Sequence, residues 1–442
     1  MSNTLFGTDG VRGTPGSYPL DAKTIACLGA ALARDLGDAP RVLIGRDTRA
    51  SGDWIERHVA AGVSAAGGSP VSVGVLPTPG VAYLTSRGFD AGVVVSASHN
   101  PSPDNGVKIL TATGEKVSRL VESRLASRIA ADAWEPPAEV PSPPREADAA
   151  ESYVTHLTEV VANVSPLTAG PIAIDCANGA TSAVAPRVLR RLGVPFVELC
   201  TRPDGRNINA GCGSTHPDAL QRAVIEHRCR LGFAFDGDGD RVILVDHRGA
   251  IVDGDGVLYV CARHRQLTER LTGDAIVATI MSNIGLERAL EKTGITVHRC
   301  PVGDWHVREE MQRRGVGLGG EQSGHVIFSE RLPTGDGVAT ALEVLRIVAE
   351  TGCDLAELTA GLATFPQVLV NVQVTEKCEI AGVPALRDII RDAEARLGDQ
   401  GRVLVRYSGT EPLLRIMIEG PELGIVGELA RSIEALAREH LN

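Results

Sequence analysis

The sequence predicts an α/β protein of several domains built on mostly parallel sheets. Its 442 residues are about three times an ordinary domain of ~150 residues. Short runs rich in valine and isoleucine alternate with longer amphipathic stretches, a pattern typical of repeated strand–helix units. Several runs lead directly into polar, glycine-rich loops, and ligands of open α/β sheets bind beyond the carboxyl ends of strands. We therefore expect these loops to share one cleft.

The apolar runs and the amphipathic stretches define the expected elements. Strands are predicted at 41–45, 91–95, 171–175, 231–235, 242–246, 275–281 and 402–406. Helices are predicted at 21–36, 117–132, 183–192, 217–229, 255–270, 285–293, 338–351, 383–397 and 422–440. Five prolines between Trp134 and Ala150 resist both helix and central strand and predict a linker, with a long surface loop as the alternative. A second boundary is expected near Phe365.

Charge and cysteine content exclude several classes of protein. The net charge is −11, which argues against general nucleic-acid binding, because phosphate backbones are held mainly by basic surface. Nine cysteines without a C-x-x-C pair fit neither a disulfide framework nor a zinc site, so a reducing cytoplasm is expected. No run approaches the ~20 apolar residues of a membrane span, and the N-terminus lacks the apolar region of a signal peptide.

The segment DGDGDR indicates a cation site. Asp236, Asp238 and Asp240 alternate with glycines, so three carboxylates project from a backbone that can curl around a small ion. Oxygen ligands favour Mg²⁺ or Ca²⁺, and an EF-hand is excluded because its sixth and twelfth positions are Arg241 and His247. The alternative is an acidic hairpin turn between strands 231–235 and 242–246.

A second loop, Ser96 to Pro101, follows the predicted strand 91–95. Ser98 at a strand end, with His99 beside it and Lys108 ten residues on, predicts a nucleophile that accepts a phosphoryl group. A serine hydrolase is less consistent, because the G-x-S-x-G elbow is absent. Serine and asparagine are also ordinary turn residues, so a plain turn is the alternative.

Two further loops and two arginines complete the candidate site. Arg406 to Pro412, followed by Arg415, offers guanidiniums, hydroxyls and backbone N–H groups for a dianionic phosphate, or is a surface turn. The loop 319–325 combines carboxylate, amide, hydroxyl and imidazole groups suited to sugar hydroxyls, or is a simple connector. Arg12 and Arg46 are either solvated charges or the local positive field of a phosphate site.

Taken together, these motifs resemble the α-D-phosphohexomutase superfamily over nearly the whole chain. The shared segments, in the family's order, are FGTDGVRG (6–13), SASHNP (96–101), DNGVK (104–108), AFDGDGDR (234–241), GGEQSGH (319–325) and RYSGTEP (406–412). The resemblance implies three related mixed α/β domains and a smaller α+β C-terminal domain around a central cleft. The expected domains are residues 1–145 with the phosphoserine loop, 146–253 with the metal loop, 254–366 with the sugar loop and 367–442 with the phosphate loop.

The resemblance also implies a role for each matching residue. Ser98 is expected to be the phosphoserine, and its phosphate to join Asp236, Asp238 and Asp240 in binding one Mg²⁺ per subunit. Glu321 and Ser323 are expected to contact the sugar hydroxyls. The expected clamp on the non-reacting phosphate comprises Arg406, Ser408, Gly409, Thr410 and Arg415. Charge stabilisation and proton transfer around the moving phosphoryl group are expected from Arg12, His99, Lys108, Arg241 and His325.

The implied reaction interconverts glucosamine 6-phosphate and glucosamine 1-phosphate, a step towards UDP-N-acetylglucosamine. It passes through a sugar 1,6-bisphosphate, which also serves as activator. Alternatives are mutases of glucose or mannose phosphates, a silent phosphosugar-binding protein, and a metallophosphatase that releases free phosphate. The resemblance further implies a homodimer. One departure is Trp305, in VGDWHV (302–307), where similar mutases have arginine; this departure bears on sugar preference more than on reaction class.

Overall fold

The computed structural model describes residues 5–7, 9–131, 140–162, 164, 170–375, 377–408 and 412–441. They form two compact units, one of residues 1–281 and 297–360, the other of residues 282–296 and 361–442. The first unit contains three sheets with their helices, and the second contains one smaller sheet with its helices. The prediction of three mixed α/β domains and a smaller C-terminal domain is thereby confirmed.

The first sheet has five strands in the order β1-β5-β4-β2-β3. They are β1 (Val11–Gly13), β2 (Arg41–Arg46), β3 (Ser69–Val75), β4 (Ala91–Val95) and β5 (Asn105–Thr111). Strand β2 is parallel to β3 and β4, whereas β5 is antiparallel to both β4 and β1. Its helices are α1 (Ala22–Leu36), α2 (Gly52–Ala65), α3 (Thr78–Thr85) and α4 (Arg119–Ala131). The sheet is therefore mixed, whereas the apolar pattern of the sequence predicted a mostly parallel sheet.

The second sheet repeats this mixed pairing in the order β10-β9-β8-β6-β7. Its strands are β6 (Ile172–Asp175), β7 (Phe196–Leu199), β8 (Leu231–Phe235), β9 (Val242–Asp246) and β10 (Ile251–Val252), and its helices are α5 (Ala149–Thr158), α6 (Ala185–Arg191) and α7 (Asp218–Glu226). Strands β8 and β9 are adjacent and antiparallel, so the DGDGDR segment does turn a hairpin.

The third sheet has four strands in the order β12-β11-β13-β14. They are β11 (Ala275–Thr279), β12 (Thr296–Cys300), β13 (Leu318–Gly320) and β14 (Val326–Phe328). The helices of this part of the chain are α8 (Gly254–Leu267), α9 (Ile284–Glu291), α10 (Asp304–Arg314), α11 (Gly337–Thr351) and α12 (Leu355–Thr359), of which α9 lies in the second unit. The short β13 and β14 frame the loop of residues 321–325.

The C-terminal sheet is fully antiparallel, in the order β15-β17-β16. Its strands are β15 (Gln367–Gln373), β16 (Arg402–Tyr407) and β17 (Leu413–Glu419), with α13 (Pro384–Leu397) and α14 (Leu423–Leu441). Leu386, Ile416 and Ile433 are fully buried between the sheet and these helices. This segment therefore has a hydrophobic core of its own.

Local signals explain most helix boundaries. Asp21, Asp253 and Asp336 each cap a helix by accepting backbone N–H bonds in its first turn, and Asp354 forms a full capping box with Glu357. The linker prediction extended too far, because Ala149 and Ala150 already belong to α5. Residues 132–139 of that predicted linker, including Trp134, lie outside the described residues. Among the helices that the structure describes, none is both long and apolar enough to cross a membrane.

Candidate active site

Ser98 is held in an unusual backbone conformation directly beyond strand β4. Its φ is 51°, a left-handed value uncommon for a non-glycine residue, and its side chain is only 2% exposed. Ser98 Oγ donates to Asp236 Oδ2 at 2.6 Å and lies 3.4 Å from His99 Nδ1. Strained, buried residues of this kind cluster at functional sites because the surrounding structure must hold them.

Arg49 helps to hold this loop, a role that no sequence motif indicated. Its buried guanidinium donates to the carbonyl oxygens of Ser98 at 3.0 Å, Asn100 at 2.8 Å and Asp104 at 2.9 Å. Its Nε donates to Asp47 Oδ2 at 2.9 Å, and the same oxygen accepts from Ser96 Oγ at 2.6 Å. Arg46, which the sequence singled out, instead pairs with Glu56 on α2 at 2.8 Å.

The three aspartates of the metal-loop prediction converge. One oxygen from each of Asp236, Asp238 and Asp240 lies within 4.8 Å of the others, and all three side chains are buried. Gly239 has φ 74°, and a Cβ on Gly237 would lie 2.6 Å from the carbonyl oxygen of Ser98. The glycines therefore let the hairpin curl and approach the serine loop closely.

The donor set of this cluster fits a divalent cation. Asp238 Oδ1 and Asp240 Oδ1 are buried and accept no hydrogen bond from the described residues, although buried oxygens normally find a partner. Burial, followed by the neighbouring charges of Asp240 and Asp238, raises the pKa of Asp236 well above its ordinary value. Hard carboxylate oxygens without donors are the ligands that Mg²⁺ prefers.

A group of cations surrounds these carboxylates. Lys108 Nζ lies 3.1 Å from Asp238 Oδ2, 3.2 Å from Asp9 Oδ2 and 3.8 Å from Asp240 Oδ2. Burial acts to lower the pKa of this lysine, but the three carboxylates outweigh it and raise the pKa, so Lys108 stays protonated. The guanidinium of Arg12 contacts Asp9, which in turn contacts Lys108, rather than the aspartate cluster itself.

Arg241 and His325 also lie beside the aspartate cluster. Arg241 Nη1 lies 3.3 Å from His99 Nδ1, so a guanidinium proton points at the histidine next to Ser98. His325 Nδ1 lies 3.5 Å from Asp240 Oδ2, while its Nε2 accepts the backbone N–H of Gly335 at 3.0 Å. The Nε2 contact places the histidine proton on Nδ1, facing the carboxylate.

The predicted sugar loop borders the same region. Glu321 is 8% exposed and its Oε1 accepts the backbone N–H of Gly303 at 3.0 Å, whereas Ser323 is exposed. A cavity of about 190 Å³ is lined by Lys108, Asp240 and His325 together with Trp305 and the apolar Leu110 and Ile327. Trp305, the one departure seen in the sequence, therefore lines the cavity rather than an unrelated surface.

The cavity is bridged on one side by an ionic contact between distant segments. Glu115, just beyond β5, accepts from Arg308 Nη2 and Gln312 Nε2 of α10, each at 3.0 Å. Lys116 lies 3.7 Å from Asp304 on the same helix. No sequence signal pointed to these pairs, because their partners are almost 200 residues apart.

The predicted phosphate clamp lies in the C-terminal unit. Arg406 on β16 and Arg415 on β17 are directly opposite each other, and burial followed by the charge of Arg415 lowers the pKa of Arg406. Ser408 is 3% exposed, and its carbonyl accepts from Lys377 Nζ at 2.6 Å. Two paired guanidiniums are suited to a dianion. Gly409 and Thr410, the other two clamp residues, lie outside the described residues.

Comparison with known proteins gives matches along the whole chain. The family models for phosphoglucomutase/phosphomannomutase match four segments: α/β/α domain I at residues 3–135, domain II at 151–249, domain III at 253–365 and the C-terminal domain at 369–436. The phosphoglucosamine mutase of Solibacter usitatus is 46% identical, with 100% of each chain covered. That of Symbiobacterium thermophilum is 46% identical, with 99% of each covered.

Solved structures give the same result at the level of the fold. A phosphoglucomutase/phosphomannomutase family protein from Burkholderia thailandensis has a TM-score of 0.82 at 27% identity, covering 100% of this chain and 99% of its own. The N-acetylphosphoglucosamine mutase of Aspergillus fumigatus, in complex with GlcNAc-6P and magnesium, has a TM-score of 0.71 at 18% identity, covering 99% and 96%.

Proposed function

Because the chain belongs to the phosphoglucomutase/phosphomannomutase family, we propose that it interconverts glucosamine 6-phosphate and glucosamine 1-phosphate. The reaction type, a mutase of the isomerase class, comes with the family. The glucosamine preference is supported by relatives that are 46% identical over at least 99% of their length and are named phosphoglucosamine mutase. Glucose and mannose phosphates are the alternative substrates for the same chemistry.

Ser98 is the proposed nucleophile, and one observation carries this assignment. Its hydroxyl lies at 2.6 Å from Asp236 inside a buried, charged pocket, at the tip of a loop fixed by Arg49. A plain turn needs neither burial nor a buried arginine. In the resting enzyme Ser98 would carry the phosphoryl group, and transfer needs little from the protein beyond positioning and charge neutralisation.

Asp236, Asp238 and Asp240 are the proposed ligands of one Mg²⁺, together with an oxygen of phosphorylated Ser98. The two buried carboxylate oxygens that accept no hydrogen bond from the described residues support this ligand set. When bound, the ion would neutralise charge on the phosphoryl group. The Aspergillus structure, which contains magnesium, has this fold.

The proton and charge roles fall to the surrounding residues. As the substrate hydroxyl attacks phosphorus, its bond to phosphorus forms and the bond to Ser98 Oγ breaks, so one proton leaves the substrate and one returns to Ser98. His99 Nδ1, at 3.4 Å from that oxygen, is placed to exchange the serine proton. Lys108, Arg241, His325 and the more remote Arg12 are proposed to stabilise the charge on the transferring group.

The substrate's remaining groups are assigned to two loops. Glu321 and Ser323 are proposed to bind sugar hydroxyls, and Arg406, Ser408, Gly409, Thr410 and Arg415 to clamp the phosphate that does not react. A clamp that grips whichever phosphate is distal serves both orientations of a sugar 1,6-bisphosphate, the proposed intermediate and activator. We further propose the domain limits 1–145, 146–253, 254–366 and 367–442, a homodimer and a cytoplasmic location.

A single assay tests the proposal. Purified protein is incubated with glucosamine 6-phosphate, Mg²⁺ and a trace of the 1,6-bisphosphate, and both glucosamine 1-phosphate and free phosphate are followed. Accumulation of the 1-phosphate without free phosphate is expected. Stoichiometric release of free phosphate would favour the metallophosphatase alternative, and no conversion of any hexose phosphate would favour a silent binding protein.

A further inference from the structure

A second group of reactive side chains lies in the 146–253 segment, apart from the residues assigned above. Cys200 directly follows β7, Cys212 follows twelve residues later, and Asp175 ends β6. The two sulfur atoms and a carboxylate oxygen of Asp175 all lie within 4.8 Å of one another. Cys212 is 2% exposed, whereas Cys200 is partly exposed. One thiol is therefore within reach of a small reagent, and the other lies buried beside it.

We propose that Cys200 and Cys212 form a reversible disulfide that lowers mutase activity by displacing Asn209. Asp175 favours this pairing over a metal site, because its two oxygens already accept the backbone N–H groups of Ala177 at 2.8 Å and Gly213 at 3.0 Å. The carboxylate thus anchors the turn that carries Cys212. Cysteine pairs this close need only a small backbone movement to join.

The oxidant is a low-molecular-weight disulfide. The Cys200 thiolate attacks one of its sulfurs, forming a mixed disulfide and releasing one thiol. Cys212 then attacks the Cys200 sulfur and expels the second thiol, so two protein thiols are oxidised and one small disulfide is reduced. A hydrogen bond from Cys212 lowers the pKa of Cys200, which agrees with Cys200 reacting first. A dithiol reductant reverses both steps.

Asn209 links the cysteine pair to Ser98. It lies between the two cysteines in sequence, and its Nδ2 donates to the carbonyl oxygens of Ser98 and Asn100, each at 2.9 Å. Its backbone N–H is bound to Ala177 O at 2.9 Å, and its φ is 58°. Sulfur atoms must approach to about 2.05 Å in a disulfide. In the proposal, this approach shifts the segment that carries Asn209, and the loop around Ser98 then loses two hydrogen bonds.

The test uses the full-length protein, reduced or treated with oxidised glutathione. Peptide mapping should identify a Cys200–Cys212 cross-link, and mutase turnover should fall about tenfold, the scale expected for two lost hydrogen bonds, then recover with dithiothreitol. Cys200→Ser should keep basal activity and resist oxidation. The matched control Cys353→Ser, also partly exposed, should respond like the parent protein.

Several outcomes would overturn the proposal. These are a cross-link elsewhere, equal sensitivity of Cys200→Ser, a cross-link without loss of turnover, and bound zinc that protects both thiols from alkylation. Asn209→Ala gives an independent check: it should lower turnover in reduced protein and respond no further to oxidation. The inference rests on the proposed function only for its activity readout. An inactive reduced enzyme contradicts that function, whereas an active enzyme unaffected by oxidation contradicts the redox inference alone.

Discussion

The guanidinium of Arg49 donates to the carbonyl oxygen of Ser98 at 3.0 Å, and both residues are almost completely buried. The same side chain binds three further carbonyls of the loop, those of Asn100, Pro101 and Asp104, and the carboxylate of Asp47. The position of the proposed nucleophile is therefore set by a residue whose hydrogen bonds go to backbone carbonyls and to Asp47. Arg49 is a positioning residue, and its effect should appear in turnover more than in substrate affinity.

Arg49→Lys tests this role. Lysine keeps the charge next to Asp47 but cannot bind several carbonyls at once with a planar fork. We expect kcat to fall about tenfold to a hundredfold, in line with the loss of one or two hydrogen bonds to a charged group, while KM changes little. The control is Arg57→Lys on α2, where the arginine pairs with Asp53 near the surface. An equal fall of kcat in both variants, or an effect confined to KM, would contradict the assignment.

Ser98→Ala should abolish turnover and leave the fold intact. The hydroxyl is the proposed phosphoryl acceptor, whereas its hydrogen bond to Asp236 contributes only about 1 kcal/mol to stability. Intact-mass analysis should find a phosphate adduct on part of the parent protein and none on the variant. Ser127→Ala, at an exposed serine of α4, is the control. Substantial turnover by Ser98→Ala would remove Ser98 from its role.

Asp238→Asn should remove the response of the protein to Mg²⁺. A ligand that binds only the native state stabilises it by about 2.7 kcal/mol at one hundred times its Kd. The melting temperature of the parent protein should therefore rise with Mg²⁺, and that of the variant should rise much less. Asp218→Asn, an exposed aspartate on α7, should behave like the parent. An unchanged Mg²⁺ response in Asp238→Asn would favour the acidic-turn interpretation.

Glucosamine 1-phosphate should be preferred over glucose and mannose 1-phosphates in kcat/KM. The ammonium at C2 can form a charge-assisted hydrogen bond, which contributes roughly 1.5–3 kcal/mol, or on the order of 10- to 150-fold. The three substrates are compared at one activator concentration. An equal or higher kcat/KM with glucose 1-phosphate or mannose 1-phosphate would contradict the amino-sugar assignment but not the mutase chemistry.

Trp305→Ala should raise KM for all three sugars by a similar factor. The indole contributes apolar surface to the cavity beside Lys108 and His325, and such surface does not distinguish substituents at C2. We expect about a tenfold rise, the scale of removing an apolar side chain of this size from a contact, with Trp305→Phe retaining most of the affinity. A selective loss for glucosamine would instead make Trp305 a specificity determinant.

The spatial proximity of candidate site residues could be predicted from the sequence where those residues are close together along the chain. Asp236, Asp238 and Asp240 lie within five positions, so their convergence follows from the local hairpin between β8 and β9. Arg49 could not be recognised, because its partners lie about fifty residues further along and meet it only after the first sheet has formed. Long-range packing decides such contacts, and a single sequence contains no local sign of them.

The missed elements have equally physical causes. Helix α10 buries only Val307 and Met311, so its apolar stripe is too thin to produce a helical pattern. Helix α3 is buried on all sides and therefore shows no alternation of polar and apolar residues. Strand β13 has only three residues, two of them glycine, and glycine is depleted in strands. The roles of Gly409 and Thr410 stay predictions.

The bridge between Glu115 and helix α10 bears on how long an intermediate stays with the enzyme. In the proposed reaction the bisphosphate must reverse its orientation before the second transfer, and dissociation competes with that reversal. Arg308 and Gln312 line the cavity and both donate to Glu115, so we expect loss of these contacts to widen the cavity and favour escape. The ratio of reversal to escape sets how often added activator is needed to re-phosphorylate the enzyme. The contact between Glu115 and α10 thus bears on the commitment of each catalytic cycle.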